Sequence, residues 1–112
     1  MSDERRIAER VNTQPDAVSV INTVTELDLG TIANLSSTGF MLVSSEIIEI
    51  DSVFQLEFRS VKLEEPLHLG AVCLWNADAS SATAHWSGFH IIDISDANQQ
   101  ALDLLVKQLS GS

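Results

Sequence analysis

Period-two alternation of apolar and polar residues runs through most of this chain and constrains its fold more than any other feature. The segment Ser52–Ser60 shows the alternation most clearly, because Phe54, Leu56 and Phe58 are interleaved with mostly polar residues. Successive side chains of a strand point to opposite faces, so this pattern predicts a strand with one buried and one solvated face. β-Branched residues are common from residue 18 to residue 35, which favours strands there as well.

Six segments are predicted to be strands, with polar or turn-forming residues between them. They are approximately Ala17–Thr25, Leu27–Leu35, Phe40–Val43, Ser52–Ser60, Leu67–Trp75 and Thr83–Ile94. The stretch Ser44–Asp51 is predicted to be a loop, and the polar stretch Asn76–Ser81 is predicted to reverse the chain.

The last segment changes to a period of 3.6 residues, which predicts one amphipathic helix. Its apolar stripe consists of Ala101, Leu102, Leu105, Val106 and Leu109. Ser95 or Asp96 suits the N-cap, and Lys107 lies near the C-terminal end, where a cation interacts favourably with the helix dipole. Strands joined by short turns do not fit βαβ units, so antiparallel pairing is expected, and closure of the sheet would remove exposed edges. The predicted fold is therefore mainly β: a six-stranded antiparallel β-barrel with a C-terminal helix.

A chain of 112 residues fits one domain with an ordinary core. We expect a flexible basic arm over residues 1–14 and a single barrel domain over residues 15–112. Cys73 is the only cysteine, and the sequence contains neither a signal peptide nor an apolar run long enough to span a membrane. These features predict a cytoplasmic protein.

The charge of the chain is strongly acidic, at −10, and its basic residues are unevenly distributed. Repulsion opposes binding to nucleic acids and to anionic membranes. Three of the six basic residues, Arg5, Arg6 and Arg10, fall within the first ten positions. The four-residue spacing of Arg6 and Arg10, beside acidic neighbours, fits either a solvated helix face with local ion pairs or a binding arm.

The stretch Asn34–Gly39 lies where two predicted strands meet and contains an amide, hydroxyl groups and a glycine. Such residues can satisfy the backbone of their own turn, with Gly39 supplying a positive φ, or they can point outward and bind a ligand. The stretch alone leaves both interpretations open.

No catalytic or metal site is indicated by the sequence. The histidines His68, His85 and His90 lack the neighbours and spacing of a catalytic triad or a zinc-protease helix. A zinc site that includes His68 and Cys73 is an alternative to solvent-facing histidines and a buried thiol. The two tryptophans are predicted to lie in the core or at the barrel rim. We expect a non-enzymatic protein without a cofactor.

Four segments occur in an order that resembles the PilZ domain family. They are Arg6-x-x-x-Arg10, Asn34-x-Ser36-x-x-Gly39, Ala71-Val72-Cys73-Leu74-Trp75 and Trp86-Ser87-Gly88-Phe89. The resemblance extends from about Arg5 to Leu109, and it implies the same barrel-and-helix fold that the pattern predicts.

The resemblance also implies a ligand, since the Arg-x-x-x-Arg segment and the Asp/Asn-x-Ser-x-x-Gly turn of PilZ domains bind cyclic di-GMP (c-di-GMP). The implied ligand-binding residues are Arg5, Arg6, Arg10, Asn34, Ser36 and Gly39, with Arg5 able to take the role of Arg6. Guanidinium groups can donate paired hydrogen bonds to guanine O6 and N7 and can neutralise phosphates, and Asn34 Oδ1 can accept from the guanine N1–H edge. The Ser36 hydroxyl can reach a phosphate or a guanine, and Gly39 allows close backbone approach.

The resulting hypothesis is a bacterial stand-alone c-di-GMP receptor that signals in trans to an effector protein, in motility or biofilm regulation. We expect a monomer or weak homodimer. The first alternative is a ligand-independent PilZ-like interaction module of the type found in type IV pilus assembly, which would fit an acidic surface. An oligonucleotide-binding barrel is disfavoured by the charge and by the scarcity of aromatic residues.

Overall fold

A computed structural model describes residues 11–14, 17–78 and 84–110. In these ranges the chain forms antiparallel strands and one C-terminal helix, which confirms the predicted fold class. The strands are β1 (Val11–Asn12), β2 (Ser19–Asn22), β3 (Leu27–Leu35), β4 (Gly39–Ser44), β5 (Val53–Arg59), β6 (Leu67–Asp78) and β7 (His85–Asp93), and the helix is α1 (Asp96–Leu109).

Six of the strands close into a barrel in the order β3, β2, β5, β6, β7 and β4, because β4 pairs back onto β3. Closure gives each of these strands two neighbours, so the exposed edges of an open sheet are removed. The short strand β1 pairs with β3 alone, at Leu35 and Asn34, beyond the part of β3 that pairs with β2.

The barrel interior is filled by alternating side chains of all six strands. Phe40 is at its centre: its ring stacks on Phe89, with 4.9 Å between centroids, and meets the edge of Phe58 at 5.1 Å. Helix α1 packs against β6 and β1 and buries its predicted stripe through Leu102, Leu105 and Val106. The N-cap is Ser95, whose hydroxyl accepts a hydrogen bond from Asn98 N.

Two strand ends differ from the predicted ones by three residues, and the other boundaries differ by less. The first predicted strand ends early, because the Asn22 side chain accepts hydrogen bonds from Val24 N and Thr25 N and thereby starts a turn. The strand β6 runs on to Asp78 through the predicted turn, because pairing with β7 continues to that residue.

Ser87 is a buried hydroxyl of the core that makes no hydrogen bond within the described residues. Its replacement by alanine removes an unpaired polar atom while keeping the backbone, so Ser87→Ala should leave the free energy of unfolding unchanged or raise it by about 1–3 kcal/mol. Urea unfolding measures this change.

Ser44→Ala is the matched control, because Ser44 is also buried and its hydroxyl donates to Glu46 O at 2.6 Å. This control should lose about 1 kcal/mol. Equal destabilisation by the two substitutions would contradict the assignment of Ser87 as an unpaired group.

Candidate functional site

The turn between β3 and β4 is organised by the hydroxyl of Ser36. Its Oγ accepts hydrogen bonds from Thr38 N at 3.2 Å and from Gly39 N at 3.1 Å. The same hydroxyl donates a hydrogen bond to Gly39 O at 3.1 Å. Ser36 N also donates to Gly39 O at 2.9 Å. Ser36 is only 1% exposed, so its hydroxyl serves the backbone of its own turn.

Gly39 is required by close packing between strands. A Cβ atom at this position would lie 2.4 Å from the carbonyl oxygen of Phe89, which belongs to the backbone of the neighbouring strand β7. Among the described residues, positive φ angles occur at Glu26, Asp51 and Gly30 and not at Gly39. The expectation that Gly39 supplies a positive φ is therefore wrong, and close approach between β4 and β7 explains the glycine instead.

Two β-bulges turn polar and aromatic side chains outward next to this turn. In β3, an extra residue between Ile32 and Asn34 breaks the alternation, so that Ile32 faces the core while Asn34 aligns with Met41 of β4. In β6, an extra residue between Cys73 and Trp75 has the same effect, and Trp75 aligns with Gly88 of β7. Of the two predicted locations for Trp75, the core or the barrel rim, the core is excluded, because this bulge reverses the face of the side chain.

The outward residues form one row across five strands, which we call the outer row. It consists of Asn12, Asn34, Met41, Gly88 and Trp75. Directly opposed residues in antiparallel strands have Cβ atoms about 4.5–5.5 Å apart, so the members of this row are neighbours. The contact of Asn34 Nδ2 with Met41 Sδ at 3.9 Å agrees with this register.

The indole of Trp75 lies over Gly88, where a Cβ atom would come within 2.0 Å of the ring nitrogen. The side chain retains 42% of its accessible surface, so one end of the outer row is an aromatic surface open to solvent. Trp86 also faces outward and is 37% exposed, because it is an odd number of residues from buried Phe89 on an unbroken strand. Strict alternation in β7 could have revealed the direction of Trp86, whereas the bulge hides that of Trp75.

The predicted arginines Arg5, Arg6 and Arg10 lie outside the described residues. The chain enters the described structure at Val11, which pairs with Leu35 next to the turn. Thr13 N then donates to Ala33 O at 3.0 Å, and the Thr13 hydroxyl donates to Ile32 O. The segment that follows the arginines is therefore attached along β3 up to the turn.

The described part of the chain offers little positive charge near this turn. Its basic residues are Arg59, Lys62 and Lys107, and none of them belongs to β3 or β4. Arg59 hydrogen-bonds to Glu57, and this contact holds the pKa of the Glu57 carboxyl below its usual range. Positive charge for an anionic ligand at the turn would thus come from the preceding arginines.

The structure gives no support to the zinc alternative. Within the residues described, no cluster of three or more histidine, cysteine or acidic side chains could hold a metal ion. Cys73 is buried, which raises the pKa of its thiol, and its Sγ contacts backbone oxygens. His68 is exposed and its Nε2 lies 3.1 Å from Glu57 Oε1. No described helix is both long and apolar enough to cross a bilayer.

Comparison with known proteins connects this barrel to one family. The family model for the PilZ domain matches residues 4–108. Among solved structures, the PilZ domain of YcgR from Escherichia coli with c-di-GMP superposes with a TM-score of 0.69 at 13% identity, covering 96% of this chain and 92% of that chain. No curated protein sequence matches this chain.

Two longer structures are similar as well. YcgR from Escherichia coli in complex with c-di-GMP gives a TM-score of 0.72 at 17% identity, covering 96% of this chain and 46% of that chain. The inhibitor of motility MotI/DgrA from Bacillus subtilis gives a TM-score of 0.72 at 17% identity, covering 90% of this chain and 49% of that chain. This chain thus spans about half the length of each of these two proteins, and the shared feature is the fold.

The hydrogen bonds of Ser36 predict a structural effect of its removal. Ser36→Ala should leave the buried Gly39 N–H without its acceptor and lower the free energy of unfolding by about 1–3 kcal/mol, as measured by urea denaturation. Ser37→Ala is the control at the half-buried neighbouring position of the same turn and should change stability by less than about 0.5 kcal/mol. Unchanged stability of the Ser36 variant would show that its hydroxyl does not organise the turn.

Proposed function

Because this chain belongs to the PilZ domain family, we propose that it is a non-enzymatic receptor for c-di-GMP. The ligand would bind between the basic segment with Arg5, Arg6 and Arg10 and the turn with Asn34, Ser36 and Gly39. The observation that carries this proposal is the junction at Val11: the residue after Arg10 pairs with Leu35, between Asn34 and Ser36. Val11 follows Arg10 directly in the sequence, so its pairing beside the turn supports a role of the arginine in this site.

The chemistry of guanine and phosphate fits these side chains. One guanidinium can donate two parallel hydrogen bonds to O6 and N7 of a guanine, and a second can neutralise a phosphate. Asn34 Oδ1 can accept from the N1–H and N2–H₂ edge of a guanine. A neutral amide makes weaker hydrogen bonds than a carboxylate, so a larger share of the affinity would come from the arginines.

Ser36 and Gly39 would contribute by shaping the turn rather than by contacting the ligand. The hydroxyl of Ser36 is already engaged in the turn, and Gly39 is buried against β7. At the tip, Ser37 N makes no hydrogen bond within the described chain, and Thr38 is exposed. We propose Ser37 N–H and the Thr38 hydroxyl as donors to a phosphate oxygen.

Trp75 would provide a stacking surface for a guanine at the other end of the outer row. Its indole is fixed against Gly88 while one side stays accessible, which suits stacking on a flat base. Stacking on an aromatic side chain contributes about 1–3 kcal/mol per base. The outer row would thereby combine polar contacts at Asn34 with an apolar surface at Trp75.

The output of such a receptor would be an interaction in trans with an effector protein. A dinucleotide bound between the arginines and the turn would add two phosphates and two bases to the outer face of the barrel. The partner would then contact a surface made jointly by protein and ligand, and the coupling between partner and ligand affinities would be reciprocal.

A ligand-independent interaction module is the alternative, and the outward tryptophans give it some support. Exposed apolar side chains also occur on β5, β6 and β7, at Val53, Leu74 and Ile92. Apolar surface of this kind is often used to bind another protein. Direct titration with c-di-GMP separates the two functions, because the alternative predicts no saturable binding.

Calorimetric titration with c-di-GMP tests the receptor proposal, and Arg10→Ala tests the role of the arginine. Loss of charge-assisted hydrogen bonds worth about 1.5–3 kcal/mol should weaken binding roughly 10- to 150-fold with little change in thermal stability. Arg59→Ala is the control, because β5 pairs with neither β3 nor β4. Absence of saturable heat for the natural protein at tens of micromolar ligand would exclude the function, and equal affinities of the two variants would exclude the role of Arg10.

Tryptophan fluorescence tests the stacking surface, since the chain has two tryptophans. In Trp86→Leu the remaining indole, that of Trp75, should be quenched by c-di-GMP. In Trp75→Leu affinity should fall about 5- to 150-fold, as expected for one lost stacking contact. Equal affinities of the two variants, with no quenching of Trp75, would contradict stacking at this position.

A further inference from the structure

One side-chain contact connects helix α1 to the turn of the candidate site. Gln99 Nε2 donates to Ser37 O at 3.2 Å, across 62 positions of sequence, and donates to Asp103 Oδ1 at 3.0 Å. A glutamine amide has two N–H donors, and these contacts use both of them. We propose that Gln99 is a positioning residue that holds the c-di-GMP-binding turn in its binding conformation. This inference rests on the proposed function.

The neighbouring carbonyl groups of the turn show why this contact is important. Thr38 O accepts from Ile91 N of β7 at 2.8 Å, and Gly39 O accepts from Ser36 N at 2.9 Å. Three successive carbonyls are thus held by three different parts of the fold. Only the Ser37 carbonyl is held by a side chain from a distant element, so a point substitution can release it while the backbone hydrogen bonds persist.

Gln99 can act in this way because its own position is well defined. It lies in the first turn of α1, where Gln99 N donates to Ser95 O at 2.8 Å, and Ser95 also caps the helix. Leu102 and Leu105, which follow on the helix, are at most 1% exposed and anchor it to the barrel. Asp103 orients the amide from one turn further along. The amide therefore has little freedom to follow a displaced turn.

Helix α1 also contacts β1, the strand that leads from Arg10 to the barrel. The helix therefore touches the turn through Gln99 and also touches β1, the strand that pairs with Leu35 and Asn34 beside the turn. Ligand binding that tightens the turn also stabilises the Gln99 contact. By linkage, a partner that displaces the helix lowers the affinity for the ligand, and the ligand lowers the affinity for that partner by the same factor.

The test compares Gln99→Ala with Gln100→Ala, an exposed neighbour on the same helical turn. In the absence of ligand, Gln99→Ala should accelerate severalfold the amide hydrogen exchange of Thr38 and Gly39, whose N–H groups donate to the Ser36 hydroxyl, while Gln100→Ala leaves it unchanged. In calorimetric titration, Gln99→Ala should weaken c-di-GMP binding roughly three- to tenfold, the range for one lost hydrogen bond. The melting temperatures of the two variants should agree.

Distinct outcomes separate failure of this inference from failure of the receptor function. If the natural protein binds c-di-GMP and the two variants bind equally well, Gln99 does not position the turn. A loss of affinity accompanied by an equivalent loss of thermal stability would also overturn it, since the residue would then be merely structural. If the natural protein does not bind, the receptor function fails, and unchanged exchange at Thr38 and Gly39 in Gln99→Ala would separately reject the positioning role.

Discussion

Closure of the barrel through the pairing of β3 with β4 is the constraint on which the remaining structure depends. This pairing removes the last two strand edges, and it requires a tight turn that the Ser36 hydroxyl holds together. It also requires β4 to approach β7 so closely that only glycine fits at position 39. The turn is therefore rigid for reasons of folding, and a rigid turn lowers the entropy cost of ligand binding.

Two interruptions of the alternation give this closed barrel a distinctive outer surface. A barrel with strict alternation would direct Asn34 and Trp75 inward, as their neighbours Ile32 and Cys73 are. The bulges before these two residues reverse their faces and align them in one row with Met41. An amide on β3 and an indole on β6 thereby face outward, with β4 and β7 between them, while the core retains its apolar side chains.

The sequence pattern was sufficient to predict the fold class, the six barrel strands and the helix, because burial on one face imposes clear periodicities. Strand ends were less predictable, because they depend on contacts with distant residues. Asn76 continues β6 by pairing with β7, and its Nδ2 donates a hydrogen bond to Ile48 O, 28 positions away in the sequence. The exposure of Trp75 depends on a bulge that no local pattern announces. The role of the Gln99 side chain likewise arises only after the helix has packed.

The family motif and the geometry explain different parts of the candidate site. The motif resemblance selected Asn34, Ser36 and Gly39, whereas the structure distinguishes the outward amide of the first from the inward, structural roles of the other two. The arginines remain a prediction from the motif, supported by the attachment of the following residue, Val11, beside the turn.

The central claim is that c-di-GMP binds on the outer row beside the turn, and nuclear magnetic resonance of the isotope-labelled protein tests it most directly. Titration with c-di-GMP should produce saturable shifts of the Ser37 and Thr38 amides, the Asn34 side-chain amide and the Trp75 indole N–H. The amides around Glu57, on a strand that pairs with neither β3 nor β4, should not shift. Unchanged spectra at tens of micromolar ligand, or shifts confined to the region around Glu57, would contradict the account.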